Sequence, residues 1–253
     1  VQFKKEEPDV CCICLDELHT DASKLTRFTC CGKRCCLGCQ NNVMKSTMPD
    51  ELKGRCHQCR KPIPRTNKGQ IEQLREWLDK GDAWAQSMMG DWYRDGKYGL
   101  KQSYVMAAML FEKAVAQGDP DAMYDLALMY ENGQGVEQSF EKKVELYTMA
   151  AERGNVTAMF NLGCMYRDGQ RVAQSFKKTV ELWTKAADQG QVDAMCSLGA
   201  LYFRGQGVVQ SNELAREWWI KAANEGNENA IKILKLLDEQ KTTTTTTSTA
   251  TAT

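Results

Sequence analysis

Net charge, histidine and long apolar runs are all scarce in this 253-residue chain. Its 33 Lys and Arg balance its 33 Asp and Glu, so the overall charge gives no argument for a nucleic-acid partner or an acidic membrane. No apolar run approaches the ~20 residues that a membrane-spanning helix requires. The polar N-terminus, VQFKKEEPDV, is unlike a signal peptide. We therefore expect no nucleic-acid or membrane partner, and a reducing compartment, either cytoplasmic or nuclear.

Cysteine, in contrast, is abundant and concentrated, because ten of the twelve cysteines fall between residues 11 and 59. Such a cluster is either a disulfide scaffold or a metal site, and the absence of a secretion signal favours metal. Two C-x-x-C turns can close one tetrahedral four-sulfur zinc site. Four pairs therefore predict two zinc ions and eight ligands, which are Cys11, Cys14, Cys30, Cys31, Cys36, Cys39, Cys56 and Cys59.

The ligand register stays open at two places. Cys12 and Cys35 each adjoin a proposed ligand, and Cys11 and Cys36 are preferred only because they keep the two-residue spacing within their pairs. Neither histidine fits the spacing of the pairs. About 60 residues with few large apolar side chains need such staples to fold, and a structural zinc contributes roughly 10–16 kcal/mol of apparent folding free energy in zinc-finger peptides.

The stretch from Cys11 to Pro64 resembles a RING finger through its segments CCICL, CCGKRCCLGC and CHQCRKPIP. The resemblance implies a cross-braced domain in which the first and third cysteine pairs share one zinc and the second and fourth share the other. The histidine usual in this family is absent, and Lys33 stands in its place, so the match is to all-cysteine RINGs. The directly adjacent Cys30 and Cys31 are also closer together than is usual.

The RING resemblance implies a ubiquitin ligase without a catalytic nucleophile. Such a domain binds a ubiquitin-charged conjugating enzyme and holds the thioester in a reactive orientation. Ile13 and Leu37 would contact the conjugating enzyme, although both could instead pack in the small core. Arg60 would bridge ubiquitin and the enzyme, or be a solvated neighbour of Lys61. His57 stands where a proline is frequent, which weakens the match to the enzyme-binding face.

From Gly81 onward the chain repeats itself every 36 or 37 residues. Small residues and tyrosines recur at helical spacing, and a serine precedes each second helical run, where it can cap the helix. One helix pair cannot bury its apolar face alone, so such repeats stack into a solenoid. The recurring residues include Ala85, Ala122, Ala158 and Ala194; Gly90, Ala127, Gly163 and Gly199; Tyr93, Tyr130, Tyr166 and Tyr202; and Ser103, Ser139, Ser175 and Ser211.

The repeated pattern A-x-x-x-L-G-x-x-Y…G-x-G-V…K-A-A-x-x-G resembles the Sel-one-like repeat over residues 81–230. The resemblance implies binding of other proteins along a concave surface. The repeats contain no catalytic triad, phosphate loop or paired-acid site. The pairs at 142–143 and 177–178, all lysines, are expected to be solvated, and Cys164 and Cys196 are expected to be ordinary core thiols.

The expected fold is mostly α, with a small zinc-stabilised RING domain followed by an α-solenoid of stacked helix-pair repeats. The expected function is a RING ubiquitin ligase that selects protein substrates through its repeats. The alternative is a non-enzymatic zinc-binding scaffold or adaptor. The expected divisions are an N-terminal segment (1–10), the RING finger (11–64), a linker and capping helix (65–80), the repeats with a final cap at Ile231–Leu237 (81–240), and a disordered Thr-rich tail (241–253).

Overall fold

The computed structural model describes the backbone of residues 25–27, 34–36 and 66–250, and the side chains of residues 66–239. Two short strands, β1 (Leu25–Arg27) and β2 (Arg34–Cys36), pair in antiparallel fashion, with Leu25 opposite Cys36. The predicted zinc ligands, the predicted contacts Ile13 and Leu37, and Arg60 all lie outside the residues whose side chains are described. The chain divides into two compact units, residues 1–158 and 159–253.

The part from residue 66 to residue 250 is helical in both units. Unit 1 contains a short 3-10 helix at Lys97–Gly99 and the helices α1 (Asn67–Leu78), α2 (Ala83–Asp95), α3 (Tyr104–Ala116), α4 (Pro120–Asn132) and α5 (Phe140–Glu152). Helix α6 (Val156–Asp168) crosses the division at residue 158. Unit 2 contains α7 (Phe176–Asp188), α8 (Val192–Arg204), α9 (Asn212–Asn224) and α10 (Glu228–Ala250).

Within each unit, successive helices pack on one another as stacked pairs, which confirms the predicted mostly α fold of helix-pair repeats. The predicted serine caps are present, because the hydroxyl oxygens of Ser103, Ser139, Ser175 and Ser211 each accept a hydrogen bond from the third backbone N–H that follows. Glycines such as Gly205, with φ of 66°, end the first helices in the left-handed conformation. No helix of the described residues is long and apolar enough to cross a membrane.

Large aromatic side chains fill the core at one position of each repeat: Phe111, Tyr147, Trp183 and Trp219 are all at most 3% exposed. The predicted role of the small residues in close approach is confirmed. A Cβ added at Gly199 would lie 2.5 Å from Nε1 of Trp219. The indole N–H of Trp219 donates to the carbonyl oxygen of Cys196 at 3.1 Å. The glycine therefore lets the ring lie flat against the first helix of its repeat.

A helix closes each end of the repeat array. At the start, Leu74 of α1 is fully buried in a cluster with Ala85, Met89 and Trp92. At the end, α10 packs Ile233 and neighbouring side chains against the core of α9. Helix α10 continues to residue 250, whereas composition predicts a disordered tail from residue 241. Once a packed first turn has nucleated a helix, each further residue extends it at little cost.

Candidate protein-interaction surface

The chemical sites predicted from the cysteine cluster cannot be placed among the described residues. Within residues 66–239, no group of three or more His, Cys, Asp and Glu side chains could hold a metal ion. Cys164 and Cys196 are free, partly buried thiols on first helices, and Cys196 packs against the core of unit 2. Burial raises the pKa of both thiols, which disfavours reactive thiolates.

The first helices of repeats one and two expose a mixed apolar and acidic surface in unit 1. Side chains three or four residues apart lie on the same side of a helix, so partly exposed residues at this spacing form a continuous stripe on each. We call this surface the first-helix face. It consists of Trp84, Met88, Asp91 and Asp95 on α2 and of Asp121, Tyr124, Asp125 and Leu128 on α4.

One guanidinium organises the acidic part of this face. Arg94 Nη1 lies 2.5 Å from Oδ1 of Asp125, which links α2 to α4. Arg94 Nη2 lies 2.8 Å from Oδ1 of Asp91, and Arg94 Nε lies 2.9 Å from Oδ1 of Asp95. Lys97 Nζ contributes a further contact, 2.6 Å from Asp95 Oδ2. Three carboxyl groups thus share two cations, so the network has an excess of negative charge when all three are ionised.

The carboxyl groups of this network differ in their pKa values. Burial, followed by the nearby charge of Asp125, raises the pKa of Asp91 to about 7. Its Oδ1 atom is buried and forms no hydrogen bond of good geometry despite its closeness to Arg94. Burial also raises the pKa of Asp125 to about 6, although Arg94 opposes the shift. Burial acts against the lowered pKa of Asp95, but hydrogen bonds from Arg94 and Lys97 prevail.

These shifts predict that unit 1 loses stability as the pH rises. A carboxyl group whose folded-state pKa lies above its unfolded value binds more protons when folded, so its contribution to stability falls as pH rises from about 4 towards 7. Relative to an Asp91→Asn variant, the wild-type free energy of unfolding should fall between pH 5 and pH 8. Urea unfolding of both proteins across this range measures the difference. A difference that stayed constant with pH would contradict the raised pKa.

A further carboxylate of α4, that of Asp121, joins two consecutive repeats. The side-chain oxygen of Asn155 accepts from the N–H of Ala158 and so begins α6, while its amide nitrogen donates to Asp121 at 3.0 Å. In unit 2, Asn227 donates in the same way to Asp193. Each asparagine therefore caps one repeat and holds the preceding one. Asp121 is consequently both a structural acceptor and a partly exposed member of the first-helix face.

The predicted solvated lysine pairs need one correction. Lys143 is 7% exposed. Its Nζ lies 2.6 Å from Oε1 of Glu131, which compensates the buried positive charge. Equivalent positions in the other repeats carry Ala107, Thr179 and Ala215, so the repeat pattern gives no warning of a buried cation there. Lys142, in contrast, is exposed as predicted and lies over the ring of its tyrosine neighbour in the preceding helix.

Sequence reasoning did not single out Asp91, Arg94 or Asp125. Asp91 and Asp125 occupy positions of the repeat where the other units have different side chains, such as Leu128 and Cys164 at the position of Asp91, whereas Arg94 has an arginine counterpart in repeat three, Arg167. A repeat pattern shows what the units share, and repeat three does repeat the pair of Arg94 and Asp95 as Arg167 and Asp168. Asp91 and Asp125, in contrast, have no acidic counterpart in the other repeats. The existence of the network depends on two consecutive helices coming within ion-pairing distance.

A family model, Sel1 repeat, matches four consecutive stretches of the chain: residues 85–119, 120–155, 156–191 and 192–227. These stretches cover more than half of the 253 residues and confirm the predicted resemblance to Sel-one-like repeats. The matched residues begin after the cysteine cluster, so they do not bear on the RING resemblance. No curated protein matches the chain at a significant level.

Two solved structures are similar to the repeat region. A protective antigen of uropathogenic Escherichia coli strains that displays an SLR fold is 36% identical with a TM-score of 0.61, over 65% of this chain and 35% of that one. A Sel1 repeat protein from Oxalobacter formigenes is 28% identical with a TM-score of 0.63, over 68% and 70% of the two chains. This chain therefore spans about a third of the E. coli protein that it matches.

Proposed function

Since the chain belongs to the Sel1-repeat family, we propose that it is a scaffold whose repeats bind a protein partner along the first-helix face of unit 1. The observation that carries this proposal is the Arg94 network, in which carboxylates outnumber cations between α2 and α4. Trp84 and Leu128 flank the charges with partly exposed apolar surface. Aromatic anchors beside charged groups are typical of protein-binding hot spots.

The charge excess favours a partner that presents a Lys or Arg side chain to this face. Complementary charge contributes to specificity and to the rate of association. It weakens with salt, because charges more than about 8 Å apart are screened at physiological ionic strength. Apolar contacts around Trp84 would supply the salt-independent part of the affinity. The proposal requires no catalytic group in the repeats, which agrees with the lack of any such motif there.

Isosteric neutralisation of the acidic face tests this function. Asp95→Asn with Asp121→Asn keeps the shape and one acceptor oxygen of each side chain while removing two charges. A protein partner is first isolated by binding to the immobilised wild-type chain. We expect the affinity of the double variant for that partner to be about fivefold weaker than that of the wild type, or roughly 1 kcal/mol, measured by titration calorimetry. Glu141→Gln with Glu145→Gln removes the same charge from the exposed surface of α5. Equal affinities of the two double variants would exclude the first-helix face as the binding site.

A second function, RING ubiquitin ligase, is favoured by one specific feature, the four cysteine pairs between residues 11 and 59. Their thiolates form a donor set that suits two tetrahedral zinc ions, which would supply structural stability rather than reaction chemistry. The repeats would then select the substrate of a conjugating enzyme recruited by Ile13 and Leu37. Arg60 would hold ubiquitin against that enzyme through its fixed fork of donors.

Ubiquitin transfer with a panel of conjugating enzymes separates the two functions. Under the ligase proposal, the wild type should form ubiquitin conjugates with at least one enzyme, and Ile13→Ala or Arg60→Ala should slow transfer while zinc content stays the same. Lys61→Ala is the matched control, since it removes a neighbouring positive charge. Absence of transfer with every enzyme, in protein that carries two zinc ions, would leave the non-enzymatic scaffold as the function.

A further inference from the structure

The second helix of repeat one, α3, carries an apolar surface that the other second helices lack. Val105, Met106 and Met109 are 58, 41 and 49% exposed, and their spacing places them on one side of the helix. We call them the α3 face. Eight of the nine equivalent positions in repeats two to four are charged, and the ninth is Leu214. The charged residues are Glu141, Lys142, Glu145, Lys177, Lys178, Glu181, Glu213 and Glu217.

The other repeats show whether the fold itself requires apolar side chains at these three positions. Charged residues occupy the equivalent positions in repeats two and three and two of the three in repeat four, so the fold does not require apolar side chains there. Exposed apolar groups that are grouped on one surface usually mark a contact with another molecule or segment. Methionine in particular adapts its shape to an irregular partner surface. Repeat one also differs from the others by its position, because it is the repeat nearest to the cysteine-rich segment.

The start of α1 lies near the loop that leads into α3. Helix α1 begins at its cap, Thr66, whose hydroxyl accepts from the N–H of Gly69. Immediately after the cap, Asn67 lies next to Gly99, since a Cβ added at this glycine would be 4.0 Å from Asn67 Nδ2. Only five residues separate Gly99 from Val105, so the two residues lie at most about 22 Å apart. The described part that follows residue 65 therefore begins within about 30 Å of Val105, a distance that about ten residues of extended chain can span.

The size of the face also favours an attached occupant over a separate one. A standard interface between two proteins uses roughly 20–30 residues on each side, and three side chains fall far short of this. A tethered segment needs much less contact, since a short linker gives it an effective concentration in the millimolar range. Residues 11–64 contain apolar side chains that are not needed as zinc ligands, among them Val43, Met44 and Leu52.

We propose that the α3 face is the docking surface for the cysteine-rich segment, residues 11–64, of the same chain. The contact sets the cysteine-rich segment against repeat one and so fixes its position relative to the first-helix face of α2 and α4. This inference is independent of the proposed partner and of ubiquitin transfer, since neither is needed for the contact to form.

Photo-crosslinking of the full chain tests the contact directly. With p-benzoylphenylalanine in place of Val105, irradiation of the purified monomer should join peptides from α3 to peptides within residues 11–64. The same photoreactive residue in place of Glu141, the equivalent position of α5, should give no such product. Products that join two copies of the chain, products confined to residues 66–239, or no products at all would each overturn the proposal.

A charge variant gives a second readout that does not depend on crosslinking. The triple change Val105→Glu, Met106→Lys and Met109→Glu introduces the residues that repeat two has at the equivalent positions of its second helix. Helical circular dichroism should therefore be unchanged, while amide hydrogen exchange within residues 11–64 should become about tenfold faster. Leu214→Lys, which copies repeats two and three at the equivalent of Met106, is the control and should leave this exchange unaffected. Unchanged exchange in the triple variant would overturn the proposal.

Discussion

Replacement of Gly199 by alanine is expected to destabilise unit 2 by about 2 kcal/mol. The new methyl group would lie 2.5 Å from Nε1 of Trp219, and that ring is only 3% exposed, so it has no free space to enter. Overpacking of this kind costs about 1–3 kcal/mol, and loss of the indole hydrogen bond to Cys196 adds about 1 kcal/mol. The higher helix propensity of alanine returns about 1 kcal/mol, so the steric cost prevails.

Repeat two indicates how this cost can be relieved. At the equivalent positions it carries Ala127 and Tyr147, and both are buried. A smaller ring at residue 219 should therefore accommodate a methyl group at residue 199. We expect the double variant Gly199→Ala with Trp219→Tyr to be more stable than the sum of the two single costs allows, by about 1 kcal/mol or more.

A double-mutant cycle measures this coupling. It compares the free energies of unfolding of the wild type, both single variants and the double variant, each from urea unfolding followed by circular dichroism. Coupling of this size is usual for residues in direct contact. Costs that added within about 0.5 kcal/mol would show that the glycine is not kept small by the tryptophan. In that event the close approach would be a result of helix packing elsewhere in unit 2.

Replacement of Cys36 by serine is expected to have the largest effect of all on the N-terminal part. If Cys36 is a zinc ligand, the bound metal should fall from two ions per chain to one or none, and residues 11–64 should unfold. Zinc coordination contributes roughly 10–16 kcal/mol in comparable peptides, which is more than a small domain can lose. The helical signal should largely survive, because the repeats have their own core.

Two matched substitutions serve as controls for the zinc measurement. Cys35→Ser changes the neighbouring thiol that the preferred register leaves unused, so it should keep both metal ions. Cys164→Ser changes a thiol on α6, within the repeats, and should also have no effect on metal content. Elemental analysis of the purified proteins gives the zinc content. Loss of zinc from the Cys35 variant with retention in the Cys36 variant would reverse the register, and retention in both would exclude this cysteine pair as ligands.

Much of the repeat architecture follows from the sequence alone. A 36-residue period, serines such as Ser139 before each second helix, and small residues such as Gly199 at fixed positions are local features. Local features determine where a helix begins, where it ends and which side is apolar. The structure agrees at each of these positions. The RING finger and its two zinc ions remain predictions, since they lie outside the described side chains.

Tertiary structure decided the features that distinguish one repeat from another. Lys143 is buried beside Glu131 of the preceding helix, which neutralises it. The pKa values of Asp91 and Asp125 are raised because packing of the helices buries both carboxyl groups, against the opposing charge of Arg94. A period predicts the contacts that all units make, since every unit must stack on its neighbours. Contacts made by a single pair of units depend on distances between helices. Such contacts contribute to the free energy only once the helices have packed at these distances. The 36-residue period of the sequence therefore does not predict them.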